Sequence, residues 1–239
     1  EEASNQNDLT AKEYWDQRQE ALVFRTAAEC ASDSEWAAKI ADKLVFVDDS
    51  PKRMLEFGCN PGHSSLALLH YRDFEANGVD FNKHDVRFQE SITRNGKRLG
   101  QVFIADVRKF HTEERFDLVF SCGFVEHFAD FPHLIGLHAA PVKKGGYVLV
   151  VVPNFKKLQW LYHAVFDAAD LAQHNLEVMN VGLIADILRK QGLEIVTSGH
   201  AGYLRFWNYS AEGGVLRRNF MRVTSKIARM VAAFVVRAG

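Results

Sequence analysis

In this 239-residue chain, side chains that can do chemistry fall just after apolar runs. The stretch LEFGCNPGHSSLALL (55–69) sets Gly58, Asn60, Pro61 and Gly62 between two such runs. Glycine accepts positive φ, and Asn is among the few other residues that adopt it. A turn of this kind brings backbone close to a partner. The helix expected after it offers free N–H groups and a positive dipole end, suited to a carboxylate or phosphate. Asp80 ends the next run, about 20 residues on, a placement that suits two ribose hydroxyls. It would equally cap the helix that follows. Asp106 ends a third run, and Ser121-Cys-Gly-Phe-Val-Glu126-His127-Phe follows a fourth. An imidazole titrates near neutral pH and can take a proton from a hydroxyl. Helix capping and packing is the plainer role for the same Glu-His pair.

Elements of alternating type must hold these residues. RMLEF (53–57), FEANGVD (74–80), QVFIAD (101–106), FDLVFSC (116–122), GYVLVVVP (146–153) and LEIVTSG (193–199) read as strands. The second is weakened by Asn77 and Gly78, and Pro153 ends the fifth. Helices are expected over 9–30, 33–45 (capped by Ser32 or Asp33), 63–71, 82–95, 130–140 and much of 155–190. Strands that alternate with helices predict a parallel sheet covered on both faces. The unbroken apolar runs VFIA, LVF and YVLVVV fit strands buried on both sides. Such sheets bind ligands at the carboxyl ends of their strands, so the residues named above share one edge.

Composition narrows the class. Hydrophobic residues make up 47% and charged residues 25%, and the net charge is −1, which indicates a globular chain with no overall attraction to nucleic acid. Cys30, Cys59 and Cys122 form no CxxC pair, which suggests a reducing compartment, taken as cytoplasmic. The acidic start EEASNQNDLTAKEYW does not read as a signal peptide, and no apolar run approaches the roughly 20 residues of a membrane span. GxGxxG, the nicotinamide-dinucleotide fingerprint, is absent, which disfavours an oxidoreductase.

Taken together and in order, these motifs resemble the class I S-adenosylmethionine-dependent methyltransferases. LEFGCNPG matches that family's acidic-x-Gly-x-x-x-Gly motif, with Asn60 at a position often held by Gly. Val79-Asp80 matches the second-strand acid, ADVRKF (105–110) the adenine-contacting segment, FDLVFSCGFVEHF (116–128) the fourth-strand motif and VKKGGYVLVVVPN (142–154) the turn into strand five. The resemblance implies a Rossmann-like, doubly wound, mostly parallel sheet of seven strands with the last antiparallel. It also implies S-adenosylmethionine as cofactor and S-adenosylhomocysteine as product. Gly58 and Gly62 would lie under the methionine part, with Glu56 supporting its amino group and Ser121 offering a carbonyl to the ammonium. Asp80 would take the ribose hydroxyls, and Asp106 the adenine amino group with Val107 beside the ring. Cys59, Asn60, Phe81 and Cys122 complete the cofactor set. The seventh strand is not evident; GYLRFWNY (202–209) or a segment beyond Gly239 are the candidates.

The expected reaction is methylation of a small molecule, preferably at a hydroxyl, with His127 as general base and Glu126 beside it. An N- or C-methyltransferase is the alternative, and a non-catalytic cofactor-binding scaffold a further one. Quinone-biosynthesis-type O-methyltransferases carry a similar Glu-His pair. Some have another Glu three residues earlier and a divalent metal; Gly123 stands at that place here, so no metal is expected. The motifs of nucleic-acid methyltransferases are missing. The expected organisation is a helical lid over 1–48, a core over 49–200 with an acceptor-pocket insertion at 154–180, and a C-terminal strand or basic helix over 201–239. Phe155, Trp160, His163, His174 and Asn175 in the insertion, with Tyr14 and Trp15 of the lid, are the candidate acceptor contacts, set against ordinary core packing. The basic stretch 216–237 is a candidate for a membrane surface or a partner, or for a helix packed on the sheet or in a dimer. Monomer and homodimer both remain open.

Overall fold

The computed structural model describes residues 8–10, 15, 23–81, 86–166, 168–204 and 229–238. One seven-stranded sheet runs in the order β3-β2-β1-β4-β5-β7-β6. Its strands are β1 (Lys52–Phe57), β2 (Phe74–Asp80), β3 (Leu99–Ile104), β4 (Phe116–Cys122), β5 (Val142–Pro153), β6 (Leu193–Leu204) and β7 (Arg229–Ala238). The pairs among β1 to β5 are parallel, and β7 runs antiparallel to both β5 and β6. The order reverses beside β1, so the edge beyond β1 and β4 is the switch point at which such sheets bind ligands.

Among the described residues the helices with both ends placed are α1 (Ala27–Asp33), α2 (Glu35–Ala41), α3 (His63–Leu69), α4 (Val86–Arg94), α5 (Phe131–Leu137), α6 (Leu158–Phe166), α7 (Ala168–Ala172) and α8 (Val181–Lys190). Two apolar cores flank the sheet. One packs Trp36, Ile40, Leu66 and Phe88 against Met54, Leu118 and Leu149; the other packs Phe131, Ile135, Ile184 and Leu188 against Leu55, Val119 and Val148. Successive residues of β1, β4 and β5 feed opposite cores, the period-two alternation of a strand buried on both faces.

Several expectations are corrected. Of the helix expected over 9–30, Trp15 is helical and residues 11–14 and 16–22 lie outside the described ones; a separate helix begins at Ala27, where Thr26 and Glu29 form a reciprocal capping box. Residues 23–26 are not helical, and Asp8 makes an isolated antiparallel bridge to Phe128. Asn77 and Gly78 do not weaken β2. The Asn77 amide donates to Met54 O and accepts from Gln101 N–H, spanning the register shift between β2 and β3, while Gly78 makes room for Cys59. The seventh strand is neither 202–209 nor a later segment. Residues up to Leu204 extend β6, and β7 is formed by Arg229–Ala238, inside the stretch read as a basic helix. That part of 216–237 is therefore paired within the sheet, and residues 205–228 lie outside the described ones. The run MVAAFVV (230–236) is rich in strand-forming residues, and strand propensity prevails over the basic pattern upstream. Among the described residues, no helix is long and apolar enough to cross a membrane.

Candidate functional site

The β1–α3 turn holds Gly58 at φ +69° and Gly62 at φ +92°, values that demand glycine. The space freed at each is filled by protein rather than left for a ligand. A Cβ on Gly58 would come within 2.5 Å of the Phe124 ring, and one on Gly62 within 3.2 Å of the Phe88 ring. What the turn leaves unfilled lies at Asn60. Its backbone N–H donates to Asp80 Oδ2 at 3.2 Å, and both polar atoms of its side chain are buried without a hydrogen-bond partner among the described residues. A buried amide in that state needs a polar partner.

Glu56 sits behind the turn, 2% exposed, and accepts a hydrogen bond from Ser65 Oγ at 2.6 Å. Burial pushes its pKa up to about 8, with the Asp80 charge adding to the rise and the bonds from Ser65 and Ser64 opposing it. Asp80 is buried at the end of β2, and Phe81 follows it half-buried. Asp106 caps a short 3-10 turn by accepting from Arg108 N–H at 2.9 Å, and its carboxylate is also held by the Arg108 guanidinium at 2.8 to 3.1 Å. Burial raises its pKa, but the Arg108 bonds outweigh that and hold it below the ordinary value. Val107 is buried in the core. Ser121 turns its hydroxyl to His138 Nε2 at 3.0 Å.

The two cysteines expected beside the cofactor differ in setting. Cys59 lies in the apolar core, its Sγ occupying the space above Gly78. Cys122 is half-buried, and burial pushes its thiol up to about 12.

Beyond β4 the chain makes a 3-10 turn, Val125–His127, which buries Glu126 fully and leaves His127 6% exposed. His127 Nδ1 lies 3.1 Å from Gln173 O and 2.9 Å from Thr10 Oγ1. A carbonyl only accepts, so Nδ1 carries the hydrogen and the neutral ring keeps its lone pair on Nε2. That Nε2 is 3.9 Å from Glu126 Oε1. The Trp15 ring meets His127 edge-on at 4.7 Å, and the His174 ring lies at 4.6 Å. One ligand-type atom from each of Glu126, His127 and His174 lies within 4.8 Å of the others.

The insertion divides its candidates. His174 joins the His127 corner. Phe155 is buried, its ring 4.7 Å from His174 and 4.3 Å from His163. His163 is fully buried, beside Gln159 at 3.2 Å and Asp170 at 3.9 Å. Asn175 caps the turn Leu176–Met179, and its backbone N–H donates to Glu126 O at 2.6 Å; it ties the roof to the strand-four turn. Trp160 is 46% exposed. Tyr14 lies outside the described residues.

Thr10, Gln173 and Arg108 carry contacts that sequence reasoning missed. Leu9 N–H donates to His127 O at 2.9 Å, and Arg108 reaches Asp8 at 2.6 Å while holding Asp106. A strap of residues 8–10 is thus fixed across the corner. Only Arg108 carried a local signal, two residues after an acid; the Thr10 contact spans the chain.

Carboxylates at the ends of β1 and β2, a glycine turn before α3 and this sheet order define a class I methyltransferase fold. The chain belongs to the methyltransferase-domain family, whose model matches residues 27–198. No curated protein matches the sequence. Among solved structures it is similar to phosphoethanolamine N-methyltransferase 2 of Haemonchus contortus, in complex with phosphomonomethylethanolamine and S-adenosylhomocysteine (16% identity, TM-score 0.58, covering 85% of this chain and 52% of that one). It is also similar to magnesium protoporphyrin IX methyltransferase of Synechocystis PCC 6803 with bound S-adenosylmethionine (12% identity, TM-score 0.52, 89% and 79%). A third is the [4+2]-cyclase SpnF (13% identity, TM-score 0.58, 84% and 80%). At these identities the likeness is one of fold.

Proposed function

We propose that this protein is an S-adenosylmethionine-dependent methyltransferase acting on a hydroxyl of a small molecule. The observation that carries the reading is the pairing of two features on one sheet edge. The buried Asn60 amide, without a partner among the described residues, stands beside Asp80 and Glu56, and the Glu126–His127–His174 corner follows β4. Family membership, and fold neighbours solved with S-adenosylmethionine or S-adenosylhomocysteine, support the cofactor.

Bound there, S-adenosylmethionine supplies an electrophilic methyl group on a sulfonium. Asp80 accepts the ribose hydroxyls, and the Asn60 amide gains the polar partner it lacks. Glu56 meets the amino group, and Asp106, with Val107 beside it, flanks the adenine. His127 Nε2 takes the proton of the acceptor hydroxyl, with Nδ1 fixed by Gln173 O and Thr10. Trp15, Phe155 and His174 wall the acceptor, and such positioning supplies much of the rate in a displacement of this kind. We assign the cofactor and acceptor groups to the core over 49–200, with residues 8–10 and Trp15 as a cover.

Isothermal calorimetry of the full chain with S-adenosylmethionine tests the first half. Binding is expected, and Asp80→Ala should weaken it at least about tenfold by removing a charged acceptor. No heat with the cofactor, but binding of a nicotinamide dinucleotide, would refute the assignment. Once an acceptor is found, His127→Ala should lower kcat by about 10²–10⁴ with cofactor affinity unchanged.

A further inference from the structure

The corner beyond β4 has the chemistry of a metal centre. Glu126 offers a fully buried carboxylate. His127 and His174 each direct Nδ1 at a main-chain carbonyl, Gln173 O at 3.1 Å and Asp170 O at 2.6 Å. Both neutral rings therefore carry a hydrogen on Nδ1 and a lone pair on Nε2. A backbone acceptor behind an imidazole is how metal-binding histidines are fixed in tautomer and orientation. The three ligand-type atoms lie within 4.8 Å of one another. Bonds of about 2.0–2.2 Å to a shared ion would draw them in through small side-chain shifts.

We propose that Glu126, His127 and His174 form a binding site for one divalent transition-metal ion. Two imidazoles and one carboxylate suit a borderline ion such as Zn2+ or Co2+ better than Mg2+, which favours oxygen ligands and retains its waters. The ligands come from two distant segments, the strand-four turn and the roof, joined at Asn175 N–H to Glu126 O. No carboxylate at position 123 is needed, because the roof supplies the third ligand. Three protein ligands leave a coordination position open. An acceptor oxygen occupying it would be acidified by the ion and would lose its proton to solvent rather than to His127 Nε2, which is then a ligand, so the site deepens the proposed function by favouring oxygen acceptors. That consequence rests on the proposed function; the ion site itself does not.

The test uses the full chain stripped with a chelator and titrated with Zn2+ by calorimetry and with Co2+ by visible absorption. One ion per chain is expected, with Co2+ bands typical of nitrogen and oxygen ligands. Glu126→Gln and His174→Ala should each weaken binding at least about tenfold, since even outer-shell losses cost that much. Affinity for S-adenosylmethionine, measured on the same variants, reports whether each has folded; His174→Gln replaces His174→Ala if the latter fails. Absence of Zn2+ and Co2+ binding to the wild type overturns the proposal, as does binding that both variants retain. Cofactor binding without metal binding would sink this inference alone. Metal binding without cofactor binding would sink the proposed function and leave the site standing.

Discussion

At neutral pH the Glu56 carboxyl keeps its proton, because burial in the β1–α3 region outweighs the hydrogen bonds it receives. Unfolded, the group ionises near 4.5; folded, near 8. Between these values the unfolded chain binds fewer protons, so this group's contribution to stability falls as pH rises, by about 1.4 kcal/mol per pH unit, and levels off above the folded value. His138 acts the opposite way. Burial lowers its pKa from 6.5 to about 4, so its contribution is lost as pH falls through that range. The two slopes oppose one another in the acidic range, and above pH 6.5 the slope of Glu56 continues without that of His138. The melting temperature should fall between pH 6.5 and 8, and Glu56→Gln, which keeps an acceptor for Ser65, should flatten that fall. A wild-type profile that rises across the interval would contradict a protonated Glu56. A cationic ammonium seated against this side chain would expel the proton, making the enthalpy of cofactor binding depend on the buffer.

Among the elements, the strap of residues 8–10 is the one that local pattern could not disclose. Strands 53–57, 74–80 and 116–122 were legible because an apolar run between turn residues is local information. The Glu-His pair was legible for the same reason, being adjacent in sequence. His174 entered the corner only through the roof, and Thr10 only through a bridge to Phe128; both depend on tertiary pairing. The start of α1 was readable in principle from the capping box Thr26-Ala-Ala-Glu29, which lies inside the single helix expected over 9–30. If the strap serves the acceptor side, Thr10→Ala should leave cofactor affinity unchanged and lower turnover, since His127 Nδ1 then keeps only Gln173 O. Its stability cost should be about 1–3 kcal/mol, the net worth of the two hydrogen bonds its hydroxyl makes, to His127 Nδ1 and Gln173 O. Calorimetry and steady-state kinetics on one preparation decide this, and an equal fall in cofactor affinity would count against a role confined to the acceptor.

For the whole molecule, the decisive element is β7, which lies between β5 and β6 and pairs with both. Sequence reading treated this stretch as part of a basic helix; the sheet order makes it a central strand. Deleting residues 229–239 would strip two ladders of their partner and leave β6 attached mainly through α8. The truncated chain should lose soluble expression or most of its stability, whereas a truncation tolerated with its melting temperature intact would contradict the topology. The same arrangement sets the order of assembly. During synthesis β5 and β6 are complete before the strand that joins them exists, and closing the sheet requires a late insertion into a slot one strand wide. Two open edges wait in the meantime, each able to accept an unrelated strand. The slot is thus the point at which a nascent or partly opened chain is most exposed to strand exchange and aggregation, and chaperone dependence would be expected to concentrate there.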